Sequence, residues 1–193
     1  FSWLYSKGKC HNCQNKISPR YPIIESCTAI FTIACMWQFG LTTEGIAATL
    51  FSWILIAIFV VDFEHQLILD NLSLPLLWLG LIFNSQTLFA TPVDAIWGAV
   101  IGYMLLWIVF HAFKILTGKE GMGYGDFKLL AALGAWFGFV ALPQIILIAA
   151  VTSILVSVIG IMLKTRGRDT PLAFGPFLAI GGWVSLFLGS NLF

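Results

Sequence analysis

Seven stretches of the chain, residues 22–40, 45–61, 72–88, 94–113, 127–142, 143–163 and 172–190, are dominated by apolar side chains. A helix needs about 20 such residues to cross the roughly 30 Å of hydrocarbon in a bilayer. The pattern therefore demands an all-α, polytopic membrane bundle of about seven transmembrane helices. Composition agrees, because 59% of residues are hydrophobic and 10% charged, too little polar surface to cover a water-soluble domain of this length. Several stretches are short. The fifth, FKLLAALGAWFGFVAL, is the weakest, and alone it suits a helix dipping in from one face as well as one that crosses.

Basic side chains decide in favour of crossing. Lys7, Lys9, Lys16 and Arg20 precede the first stretch, Lys114, Lys119 and Lys128 bracket the gap between the fourth and fifth, and Lys164, Arg166 and Arg168 follow the sixth. With seven crossings all ten lie on one side, cytoplasmic by the positive-inside rule, whereas omitting the fifth would put the last three outside. The opposite connections, around 41–44, 84–93 and 141–143, contain no Lys or Arg. The expected organisation is a small cytoplasmic Cys-containing head, residues 1–20, and a membrane domain, residues 21–193, in contact with lipid. The early segment, with Trp3, Tyr5, Lys7 and Lys9, does not read as a signal peptide. A net charge of +1 with basic residues in small groups argues against nucleic-acid binding. Small residues in GAVIGY (98–103) and AALGAW (131–136) would let the fourth and fifth helices approach closely.

Acidic residues are scarce, and two of them abut the cytoplasmic ends of apolar stretches. Asp62 closes LIAIFVVD, and Asp126 opens DFKLLAALGAW directly after the glycine-rich GKEGMGYG. A carboxylate at this depth is costly unless paired, solvated in a cavity, or functional. An N-cap role would account for Asp126 itself. It does not account for Gly121, Gly123 and Gly125, which suit backbone that approaches another backbone or a ligand. Non-helical backbone at membrane depth is tolerated only against protein or water, which points to a wet cavity beside Asp126. Asp62, as a carboxylate at a helix C-terminus, opposes the helix dipole. Two carboxylates brought within a few Å cannot both ionise, so one keeps a proton while the other polarises a water, the arrangement of an aspartic protease.

GMGYGDFK contains the GxGD signature of intramembrane-type aspartic proteases. Together, VDFEHQLILDNLSLPLLWLG and TPLAFGPFLAIGGW make nearly the whole chain resemble the type IV prepilin peptidases, the leader peptidases of type IV pili and type II secretion. The resemblance implies that Asp62 and Asp126 form the catalytic pair, with Glu64 and Asp70 the neighbours most easily mistaken for the first. It further implies a bifunctional enzyme of the bacterial inner membrane. Such an enzyme removes the basic leader of prepilins and pseudopilins after a glycine at the cytoplasmic face. It then N-methylates the new terminal residue with S-adenosylmethionine as donor. The residues themselves speak for the first activity alone, since the glycine run follows no strand and is no dinucleotide fingerprint. Gly123 and Gly125 are expected to let a substrate strand lie against the main chain, and Glu64, Asp70 and Glu120 to hold the leader's Lys and Arg. The family often has Pro where this chain has Leu69, a departure expected to alter a turn rather than the chemistry.

Cys10 and Cys13 form a C-x-x-C, half of a tetrahedral zinc site by spacing or else a reduced pair that binds nothing. The reducing compartment argues against a disulfide. The resemblance implies a second such pair and a membrane helix upstream, so the chain is expected to lack the N-terminal part of a longer protein. Cys27 and Cys35, within the first stretch, read as buried small hydrophobes. His65 is either a hydrogen-bond partner near the aspartates or a solvated helix-end side chain. Lys128 is expected to anchor its helix at the headgroups rather than act on Asp126, and the tryptophans, Trp136 included, mostly to fit lipid or interfacial packing. Gly175 either lets the last helix approach the cavity or serves packing. The rival to the protease is a proton- or cation-coupled transporter using Asp62 and Asp126. That reading expects acids near the bilayer midplane and internal symmetry, and neither is visible.

Overall fold

The computed structural model describes residues 3, 8–9, 12–118, 122–163 and 173–189. Seven α-helices follow one another in these residues: α1 Arg20–Phe39, α2 Thr43–His65, α3 Asp70–Asn84, α4 Pro92–Thr117, α5 Tyr124–Phe137, α6 Leu142–Met162 and α7 Gly175–Leu188, with a single 3₁₀ turn at Phe139–Ala141. The expected all-α bundle is therefore observed, with helices close to the seven apolar stretches. Helices α1, α2 and α4, and the segment from the 3₁₀ turn through α6, are long and apolar enough to cross a membrane. The outward faces of α4 and α6 carry Ile101, Met104, Ile108, Val151, Ile154, Leu155 and Val158, all exposed, as lipid-facing residues should be. The protein is a multi-pass membrane protein.

Contacts divide the chain into two compact units, Phe1–Ile56 and Ala57–Phe193. In the first, a bridge between Lys9 and Lys16 closes a small turn, and the Trp3 indole donates to the Ile17 carbonyl at 3.1 Å. Helix α1 is tied to the start of α2 by polar contacts: Trp53 Nε1 donates to Thr32 Oγ1 at 2.9 Å, and Cys35 Sγ lies 3.5 Å from Ser52 Oγ. Cys35 is buried as expected, but Cys27 is exposed, on a face of α1 that no described residue of this unit covers.

The second unit is organised around α5. This helix has 14 residues, which at about 1.5 Å per residue make roughly 21 Å, and it is buried from Asp126 to Trp136 save for Lys128. It packs chiefly on α4 and α3, and less on α7. The close approach to α4 is possible because Gly98 faces Gly134: a β-carbon on either would overlap the other's carbonyl. One turn on, a β-carbon at Gly102 would lie 2.7 Å from the Leu130 carbonyl oxygen. The small residues of GAVIGY and AALGAW thus serve the expected purpose.

Helix α5 ends where its carbonyls find side-chain donors. The Asn84 amide donates to the carbonyls of Ala135 and Trp136, both at 2.8 Å, and its oxygen accepts from the Phe89 and Ala90 N–H groups at 2.9 and 3.1 Å. Gly138, at φ 76° and ψ 172°, takes a positive-φ backbone open to glycine that closes the helix. Trp136 departs from the expectation that tryptophans face lipid. It is fully buried against Gly80 and donates to the Leu76 carbonyl at 2.8 Å, since an indole N–H in a dry core needs an acceptor.

Because the α4–α5 contact leaves no room for a methyl group, Gly98→Ala and Gly134→Ala should each destabilise the fold by about 1–3 kcal/mol. Unfolding of the purified protein in detergent, followed by circular dichroism, measures this. Wild-type stability in both variants would contradict the packing described.

Candidate active site

Five segments converge on one cleft of about 600 Å³: the end of α2, the turn 66–69, the starts of α3 and α5, and residues 173–174 ahead of α7. Both singled-out aspartates line it, and both are buried, Asp62 being 4% and Asp126 6% exposed. The sequence separates them by 64 positions on different helices, and the fold brings them into electrostatic contact.

Local chemistry explains how each arrives there. Helix α2 stops when Gln66 adopts the left-handed region at φ 53° and returns its N–H to the Asp62 carbonyl at 2.9 Å. The chain then doubles back, burying Ile68. Leu69 caps α3 with φ −74° and ψ 132°, dihedrals that proline also accepts. Helix α5 opens at the glycine-rich segment. Its N-cap is Gly123, not Asp126, and Asp126 at the third helical position reaches back to accept the Gly123 N–H at 3.3 Å. Phe110 of α4 holds this first turn from outside, with ring centroids 5.2 Å from Tyr124 and 5.6 Å from Phe127.

Asp126 precedes the apolar stretch of its helix, and three influences, two against one, act on its proton. Burial first, and the Asp62 carboxyl second, raise its pKa from the ordinary 3.8 to about 7, outweighing the Gly123 hydrogen bond that favours the charged form. Asp62 has a different environment. Its Oδ2 is buried and accepts no hydrogen bond from the described residues, while the main chain of Gly175 lies against the carboxyl.

The neighbouring candidates separate. Asp70 lines the cleft but is paired, its Oδ1 accepting from Lys128 Nζ at 2.6 Å. Lys128 consequently joins the starts of α3 and α5. Glu64 is not among the lining residues; its Oε2 lies 4.0 Å from Nε2 of His65, whose side chain is exposed. Gly123 is open toward the cleft, since a β-carbon there would meet nothing closer than 3.7 Å. At Gly125 the space is taken by Ile68, whose Cβ would lie 2.6 Å from an added β-carbon. Glu120 and Cys10 lie outside the described residues. Cys13 is a free, exposed thiol, and no group of three His, Cys, Asp or Glu side chains that could hold a metal occurs among the described residues.

Sequence reasoning passed over Ile68 and left Gly175 undecided. Ile68 carries no chemical signal of its own, and a glycine before Pro176 reads equally well as a helix start.

The fold and the cleft define a class: a polytopic helical membrane protein with two buried, interacting carboxyls from different helices at one end of its bundle. Residues 49–158 match the type IV leader peptidase family, and residues 1–39 match the bacterial Peptidase A24 N-terminal domain. The chain belongs to the type IV leader peptidase family. It is 49% identical over 191 residues to a prepilin leader peptidase/N-methyltransferase of Pseudomonas aeruginosa, covering 99% of this chain and 66% of that one. The corresponding protein of Stutzerimonas stutzeri is 48% identical with the same coverage, and that of Xanthomonas campestris pv. campestris is 46% identical, covering 100% of this chain and 67% of that one. The chain thus spans about two thirds of the length of these curated relatives. No solved structure matches it.

A raised carboxyl pKa means that folded Asp126 holds a proton the unfolded chain would already have released. Its contribution to stability is full below the ordinary 3.8 and is lost as pH rises through about 7. In detergent, the infrared carboxyl band absent from Asp126→Asn should titrate with a midpoint near 7. Asp62→Asn should lower that midpoint yet leave it above the ordinary value, because burial is the larger cause. An unmoved midpoint in Asp62→Asn would show that the two carboxyls are not coupled.

Proposed function

We propose that this protein is a membrane aspartic endopeptidase that removes the basic leader of type IV prepilins and pseudopilins, cutting after glycine. The observation that carries this reading is the pair of buried, coupled carboxyls facing one cleft beside the GxGD turn. Two such groups share one proton. The ionised carboxylate takes a proton from water as its oxygen attacks the scissile carbonyl, and the protonated carboxyl passes its proton to that carbonyl oxygen. Collapse of the tetrahedral intermediate breaks the C–N bond, with a proton delivered to the leaving amine. The open main chain at Gly123 suits an extended substrate strand.

Several finer points rest on this reading. The active site belongs at the cytoplasmic face of a bacterial inner membrane, supported by the grouping of all ten Lys and Arg on the predicted side of the connections around the cleft. Residues 1–20 form the cytoplasmic head and 21–193 the protease domain. Glu64, Asp70 and Glu120 attract the basic leader, with Asp70 doing so in competition with Lys128. Methylation of the new N-terminus from S-adenosylmethionine is supported by the relatives' names. Cys13, an exposed thiol with no gathered ligands among the described residues, does not by itself make a zinc site.

Purified protein incubated with a prepilin in detergent tests the proposal. Asp62→Asn and Asp126→Asn should each lower cleavage by at least about a hundredfold while the protein stays folded. Proton-coupled uptake by vesicles containing the wild type, with no cleavage, would select the transporter instead. Charge reversal at Glu64 and Glu120 should raise the Michaelis constant for a basic-leader substrate, and unchanged kinetics would remove their assigned role.

A further inference from the structure

Residue 175 opens α7 where the chain passes the Asp62 carboxyl. A β-carbon at this position would overlap Asp62 Oδ2, and would lie 3.1 Å from Asp62 Cγ and 2.8 Å from Ile68 Cδ1. The Asp62 side chain is short and buried, so it cannot swing clear as the tip of a long surface side chain would. Either the carboxyl moves or the start of α7 moves.

Ile68 has a second role in the same place. Its Cβ fills the gap left by Gly125, 2.6 Å from where a β-carbon would stand. One isoleucine, 8% exposed, therefore occupies two glycine gaps, one directly before Asp126 and one against Asp62. The turn 66–69, the GxGD segment and the start of α7 meet at this side chain.

We propose that Gly175 and Ile68 are positioning residues for the reaction: the glycine main chain seats the Asp62 carboxyl on one side, and the isoleucine sets the spacing between the start of α7 and the GxGD turn. The consequence for catalysis rests on the protease reading, whereas the seat itself rests on packing. A displacement of the carboxyl by a fraction of an ångström should slow chemistry without weakening substrate binding, since the altered group is the one that must meet the reacting atoms.

The full chain in detergent, checked for folding by size-exclusion chromatography, is assayed on a prepilin. In parallel, labelling of Asp62 by a hydrophobic carbodiimide is read by peptide mass spectrometry, a measure that does not depend on cleavage. Gly175→Ala should lower kcat by about 10- to 100-fold with KM within about twofold, and should change the Asp62 labelling rate. Ile68→Val added to Gly175→Ala removes the Cδ1 atom and should recover part of the lost kcat by letting α7 shift. Ile68→Ala alone should also lower kcat and alter labelling. Wild-type kcat and labelling in Gly175→Ala overturn the proposal. If Gly175→Ala fails to fold, Ile68→Ala decides: altered labelling with reduced kcat supports the seat, and wild-type values overturn it. If the wild type cuts no prepilin while Asp62 labelling still responds to these variants, the seat stands and the protease reading falls.

Discussion

The site depends on a helix that could not exist alone. Helix α5 has 14 residues and is enclosed on nearly every side, so its stability comes from the helices around it. The Gly98–Gly134 contact lets α4 come close enough to form one wall. Asn84 satisfies the α5 carbonyls at the far end, and Trp136 fills the space that Gly80 leaves on α3. With these contacts in place the N-terminal turn of α5, and Asp126 with it, is held at a fixed depth. The same enclosure strips water from the carboxyl and so supplies the larger part of its raised pKa.

Against that fixed point the second carboxyl is delivered by a turn and a helix start. Gln66 ends α2 just after Asp62, Ile68 folds beneath, and Gly175 brings the main chain of α7 to the Asp62 side chain. Burying one carboxylate near another is unfavourable for folding, and the cleft keeps it tolerable by leaving a proton on one of them. The Asp70–Lys128 pair at the rim is half exposed and contributes little stability of its own, but it ties α3 to α5 at the mouth of the cleft.

Much of this was legible in the residues. Apolar runs of about 20 residues have few alternatives to membrane helices, because backbone groups in hydrocarbon must bond within their own segment. Asp62 and Asp126 stood out because charge at a helix end in such a chain is rare and costly. The glycines at 98, 102 and 134 were readable as contact points for the same reason of composition. The pairing of Lys128 with Asp70 was not legible, since 58 residues separate them and either could have faced solvent. Trp136 misled the reading because tryptophan is common at membrane interfaces, while here a glycine on another helix opened a slot for it. Cys27 differed from expectation because one helix face can be apolar and still lie uncovered in its own unit.

By itself, then, the sequence determined the helical class, the approximate extent of each helix and the two acids that abut helix ends, since these follow from periodic apolar runs and local charge cost. Tertiary structure alone decided that the two acids line one cleft, that Gly125 and Gly175 are vacated for Ile68 and Asp62, and that burial raises the Asp126 pKa. Those outcomes depend on distances between segments remote along the chain, and a linear pattern carries no record of which surfaces exclude water together.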